Sequence, residues 1–164
     1  MVRFKNRYVC FEVLFDPALA GSEASGQQPS FTARVIYGVV RDSVKLNFGD
    51  SGLGLVLSGM QVRHFGAHSC MGILKVPRDH CKMVLSALAL ITHVHKHPCA
   101  VRVRHVSGTI KKCQRAAIRT DRELIIAWHQ RQQQLATAGT PSINDSTLSQ
   151  LLKESESQIS AIEI

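Results

Sequence analysis

Along its first 106 residues this chain switches the spacing of its apolar side chains in the order strand, helix, strand, strand, helix, strand, which leaves few ways to close a core. Tyr8 to Phe15 is rich in aromatic and β-favouring residues and is predicted as the first strand. Asp16 to Pro29, with its Gly, Ser, Gln and Pro, is predicted as a surface loop. Phe31, Val35 and Val39, joined one step round by Ile36, Val40 and Val44, mark a helix from near Ser30 to Gly49. An Asp50-Ser51-Gly52 turn leads to a strand over about Leu55 to Phe65, and Gly66-Ala67 folds it onto a third, His68 to Val76. Pro77 and Asp79 open a second helix with a buried stripe at Cys81, Val84, Leu85, Leu88 and Ile91. That helix frays into His93, His95 and His97 before Pro98 ends it, and Cys99 to Val106 is the fourth strand.

This β-α-β-β-α-β order predicts an α+β fold, the ferredoxin-like (split β-α-β) sandwich: a four-stranded antiparallel sheet with two helices on one face, plus a C-terminal helical extension. The sandwich domain is placed at residues 1–135. Residues 136–164 are rich in Gln, Ser and Thr, carry one Lys against four acids, and hold only a weak apolar pattern at Leu148, Leu151, Leu152 and Ile159. They are expected to form a polar, acidic, disordered tail.

Between Arg102 and Arg122 seven Lys/Arg (Arg102, Arg104, Lys111, Lys112, Arg115, Arg119, Arg122) surround one acid, Asp121. The segment is predicted to run from the fourth strand through Ser107-Gly108-Thr109 into a helix. Lys111, Arg115, Arg119 and Arg122 then fall within about 80° of one another on a helical wheel. Ile110, Cys113, Ala117, Leu124 and Trp128 gather on the opposite, core-facing side. Like charges at i,i+4 repel, and lysines in a first turn oppose the helix dipole by roughly 0.3–1 kcal/mol each. Such a local conflict marks a functional site, and free amide groups beside two lysines suit a phosphate. Thr120-x-x-Glu123 resembles a capping box, which allows a break at 120.

Charge supports a polyanionic partner. Through residue 139 the chain holds 19 Lys/Arg against 8 Asp/Glu, a bias that favours nucleic acid over an anionic membrane. The longest apolar stretch, Val84 to Thr92, is far short of the ~20 residues a bilayer requires. Glu12 interrupts the only apolar run after Arg3, Lys5 and Arg7, so no signal peptide is expected. Five scattered cysteines without a C-x-x-C pattern predict buried thiols in a reducing compartment.

Enzymatic chemistry finds little to stand on. There is no G-x-S-x-G, no Walker-type loop, and no pair of carboxylates near a His. His93, His95, His97 and Cys99 lack a second ligand cluster at zinc spacing, so helix-end histidines are the preferred reading over a metal site. Cys113 follows two lysines, but its phase with Ile110 and Ala117 predicts burial rather than reactivity. The third strand carries no aromatic residue, which argues against base stacking of the RNA-recognition type and for backbone recognition by cations.

Three motifs carry a family likeness. Val2-Arg-Phe-Lys-Asn-Arg-Tyr8, Val40-Arg-Asp-Ser-Val-Lys-Leu-Asn-Phe-Gly49 and His105-Val-Ser-Gly-Thr-Ile-Lys-Lys-Cys-Gln114 resemble segments of the Pop-five family of subunits of eukaryotic ribonuclease P and ribonuclease MRP, most closely its plant members. The likeness spans roughly residues 1–128. It implies a non-catalytic RNA-binding subunit of a nuclear, nucleolar ribonucleoprotein that removes the 5′ leader of precursor tRNA, with a relative acting on precursor ribosomal RNA. It also implies that the RNA carries the catalytic metal ions, that the protein itself binds no cofactor, and that a barrel-type protein subunit is its partner. Precursor tRNA would be met only indirectly, and no membrane is involved. Arg3, Lys5, Arg7, Lys111 and Lys112 match basic positions of the family motifs. Arg102, Arg104, Arg115 and Arg119 join them from the charge pattern. Two alternatives stay open: a free-standing module for structured RNA, and a small phosphate-ester hydrolase on the same fold, against which the missing Gly-rich loop after strand one speaks.

Overall fold

β1 (Asn6–Phe15) runs through the middle of the sheet, and its alternating side chains are buried on both faces: Val9, Phe11 and Val13 on one, Tyr8 and Cys10 on the other. The computed structural model describes residues 5–15, 31–66, 69–136 and 145–162. The loop expected over 16–29, together with Arg3 and His68, lies outside the described residues. Following β1 come α1 (Ala33–Leu57), β2 (Gln61–Phe65), β3 (Met71–Pro77), α2 (Cys81–Ala89), β4 (His93–Val94), β5 (His97–Ser107), α3 (Ile110–Ala136) and α4 (Asp145–Ser160). The strands form one antiparallel sheet in the order β2-β3-β1-β5-β4.

Helices cover this sheet on both sides. Ile36 and Val40 of α1 and Val84 and Leu88 of α2 pack on Val9, Phe11, Val13, Leu74 and Val76. Ile110, Cys113 and Ala117 of α3, with Ile159 of α4, pack on Tyr8, Cys10, Met71 and Ile73. None of the helices among the described residues is long and apolar enough to cross a membrane.

Several sequence expectations are corrected. The sheet has five strands rather than four. α2 stops at Ala89 instead of fraying to His97, because Ile91 and Val94 turn back into the core and His93–Val94 pairs with His97 and Pro98. His95, at the tip of that hairpin, takes a left-handed backbone (φ 54°). Gly49 does break α1, with φ 69°, but the helix resumes, because Gly52 seats against Phe48 and Met83 and Val56 is fully buried. The second strand consequently begins at Gln61, not Leu55. α3 runs unbroken through Thr120, which is 9% exposed, so no second N-cap forms there.

The C-terminal segment departs furthest from expectation. Instead of a structureless tail, residues 145–160 form α4, anchored by Ile159 beneath α3. The amide of Gln114 donates to the carbonyls of Ile159 and Ile162, both at 2.9 Å, which satisfies orphan acceptors at the end of α4.

Candidate nucleic-acid interface

Antiparallel pairing brings three chain segments to one end of the sandwich: the start of β1, the end of β3 and the end of β5. Lys5 and Arg7 stand at the first. Lys75 and Arg78 stand at the second, where the Arg78 N–H donates to the Lys5 carbonyl at 2.9 Å. The third leads through Ser107-Gly108-Thr109 into α3, with the Ser107 hydroxyl accepting from the Thr109 N–H at 3.2 Å. Gly108 permits a close approach: a Cβ there would lie 2.7 Å from Nη1 of Arg7, so the Arg7 guanidinium rests on the turn that launches Lys111 and Lys112.

Along α3, Lys111, Lys112, Arg115, Arg119 and Arg122 are all exposed. Among the described residues, none of these five lies within ion-pair distance of a carboxylate. The reason is visible at Asp121, the one acid of this stretch. It is 3% exposed, faces α4 and accepts hydrogen bonds from the hydroxyls of Ser69 and Ser155. Asp121 is thus used inside the fold, and exposed Glu123, one turn beyond Arg119, is the acid at the far end of the row. Nearby, burial holds the His64 imidazole below its usual range, with Asp121 pulling in the opposite direction.

Arg102 and Arg104 are placed differently from the α3 cations. Both reach Glu12 of β1: Nη1 of Arg102 lies 3.3 Å from Oε1 and Nε of Arg104 lies 2.8 Å from Oε2. The expected cluster therefore divides. Lys5, Arg7, Lys111 and Lys112 converge at one end, Arg115 and Arg119 extend it along α3, and Arg102 and Arg104 on β5 share a buried acid of β1. Lys75 and Arg78 were missed, since only strand pairing brings them beside Lys5. Glu12 was missed too, although a lone carboxylate in an otherwise apolar strand was a readable signal.

Two histidines of the run pack on aromatic rings. His95 stacks on Phe31 with ring centroids 6.0 Å apart, and His97 meets Phe15 and Phe31 edge-on. Among the described residues no group of three or more His, Cys, Asp or Glu is arranged to hold a metal.

Cys113 is fully buried, and burial pushes its thiol up to about 12, as it does that of Cys10. A thiol that ionises near its ordinary value of 9.0 when unfolded, and near 12 when folded, favours the folded state only while it stays neutral. Its contribution is complete below pH ~9 and is lost as pH rises towards ~12. Thermal unfolding midpoints are accordingly expected to fall across that window, and to fall less in Cys113→Ala. Equal pH slopes in the two proteins would contradict this placement of the thiol.

Residues 7–118 match the sequence model of the Rpp14/Pop5 family. Over 127 residues the chain is 39% identical to ribonuclease P/MRP protein subunit POP5 of Schizosaccharomyces pombe, covering 76% of this chain and 91% of that one. It is 31% identical to the human protein of that name over 77% of this chain and 76% of the relative. Identity is also 31% to the probable POP5 subunit of Arabidopsis thaliana, over 75% and 81%. A chain from the cryo-EM structure of yeast ribonuclease MRP shares the fold, with a TM-score of 0.52 at 12% identity over 67% of this chain and 79% of that one. The family match takes in Arg7, Glu12, Arg102, Arg104, Lys111, Lys112 and Arg115, and it ends before α4.

Proposed function

Because this chain belongs to the Rpp14/Pop5 family, we propose that it is a non-catalytic protein subunit of ribonuclease P and ribonuclease MRP whose basic surface seats the RNA of the complex. The observation that carries the RNA-seating part is the row of exposed cations on α3, none of them ion-paired among the described residues, with Asp121 turned into the fold. Same-sign clustering of this kind raises local attraction for phosphates and releases counterions on contact. In this reading the cations lower repulsion between RNA segments, so that a folded catalytic RNA packs closely.

The strand order β2-β3-β1-β5, with α1 and α2 as the crossovers, supports reading the core as a ferredoxin-like sandwich to which β4, α3 and α4 are added. The same reading assigns cleavage of precursor tRNA and ribosomal RNA, and the metal ions for it, to the RNA. It also assigns a barrel-type protein subunit as partner and places the assembly in the nucleus and nucleolus.

Purification of the tagged full-length protein from cells, with sequencing of the attached RNA, tests the reading. A stable RNA of defined size, that of ribonuclease P or MRP, is expected together with protein partners. Recovery of protein with no discrete RNA would overturn the assignment.

A further inference from the structure

Two arginines converge on Glu12, and what they do there rests on the RNA-seating reading above and deepens it. Glu12 projects from the central strand into the layer beneath α3, and its side chain is 1% exposed. Its ladder neighbours are Met71 on β3 and Arg102 on β5. The β1–β5 register then slips: Phe11 pairs with Val103 but Cys10 pairs with His105, which leaves Arg104 unmatched. Strand alternation puts Arg104 on the same face as Arg102, two residues earlier, and the slip leaves Arg104 without a partner on β1, so both guanidiniums meet one carboxylate.

A buried acid is a poor way to strengthen a sheet, since an apolar residue of similar size serves folding as well or better. Its value lies in what it orients. Each guanidinium carries five N–H donors in a rigid plane. Arg104 spends only Nε on Glu12, and Arg102 approaches through one terminal nitrogen. Most donors of both side chains are therefore left over, and among the described residues no second acceptor engages them. The side chains are 56% and 35% exposed, above an acid that solvent does not reach. The trio keeps one net positive charge: a hydrogen bond from beneath sets the Arg104 fork, and the Arg102 fork is held by an ion pair to Oε1, which accepts no hydrogen bond among the described residues. Planar forks match phosphate oxygens in pairs, which a flexible ammonium does not.

We propose that Glu12 is a positioning residue: it holds Arg102 and Arg104 as a preorganised pair that grips a phosphodiester of the RNA. The competing view is that Glu12 merely neutralises two surface arginines and keeps them out of the interface.

The two views predict opposite signs. Glu12→Gln removes a negative charge from a protein that binds a polyanion, so simple attraction would tighten binding. Loss of positioning instead weakens it, by about 3- to 10-fold, and lowers the salt slope by about one unit as a phosphate contact disappears. The measurement uses the full-length chain and transcribed ribonuclease P RNA over a range of salt concentrations, with thermal unfolding as the check on folding. A role in stability alone would leave the salt slope of the folded protein unmoved. The paired change Arg102→Lys with Arg104→Lys keeps every charge, removes the forks and lies at the surface, so it decides the matter should Glu12→Gln fail to fold. It is expected to weaken binding to a similar extent. Binding by Glu12→Gln that equals or exceeds that of the wild type, or a lysine pair that matches it, overturns the proposal. If those variants behave as wild type while changes at Lys111, Lys112 and Arg115 weaken binding, the RNA-seating reading stands and this one falls. If the wild-type protein does not bind the RNA, both fall.

Discussion

Alanine at Lys111, Lys112 and Arg115 together is expected to weaken binding to ribonuclease P or MRP RNA on the order of 100-fold near physiological salt, and to reduce the salt slope by about three units. Each of the three is exposed at the start of α3, next to the turn on which Arg7 rests. With no carboxylate of the described residues beside them, their charge is available to a ligand. Counterion release then links affinity to salt, at close to one unit of slope for each phosphate neutralised. Folding should not suffer. Two of the three changes remove cations from the positive end of a helix dipole, so the unfolding midpoint is expected to hold or rise. Titrations across salt concentration, alongside thermal melts, separate binding from stability. An unchanged slope in a folded triple variant would take α3 out of the interface.

Phe11→Ala is expected to cost about 3–5 kcal/mol of stability, because the large ring leaves a cavity that its neighbours fill only in part. For a chain of this length that lowers the unfolding midpoint by about 10 °C or more. Phe11 is 1% exposed at the centre of the α1–α2 face, with its ring 6.4 Å from that of Phe65. Its edge occupies the space above Gly72, where a Cβ would come within 2.6 Å of the ring. Gly72→Ala tests that contact from the opposite direction and should destabilise by about 1–3 kcal/mol through overpacking. Leu46→Ala, at a side chain 85% exposed, serves as the neutral control. A loss below ~1 kcal/mol for Phe11→Ala would mean that this ring is not packed as described.

Much of the architecture is legible in the residue order itself, and the reason is periodicity. β1 announces itself through aromatic and β-branched residues, and α1 through Ile36, Val40 and Val44, all of which are buried. On α3 the same logic separated Ile110, Cys113 and Ala117, now in the core, from Lys111, Arg115 and Arg119, now exposed. These are local patterns, each contained within a few turns or one strand, and a helix or strand that buries one face must display the other.

What local pattern could not supply depends on partners distant along the chain. Gly49 and Gly52 read as a turn, yet the helix continues, because burying Val56 outweighs the break. α4 has weak apolar spacing and holds its place through Ile159, Gln114 and a Ser155–Asp121 hydrogen bond that spans 34 positions. Arg104 looked like one more free cation until folding set it against Glu12, 92 positions away. The order β1-α1-β2-β3-α2-β5-α3 and the basic face of α3 were thus written in residue spacing alone, without β4 and α4. Which charges remain unpaired, and which acid holds which arginine, followed only once the sheet had brought remote segments together, because attraction between charges depends on distance in space and on burial, not on separation along the chain.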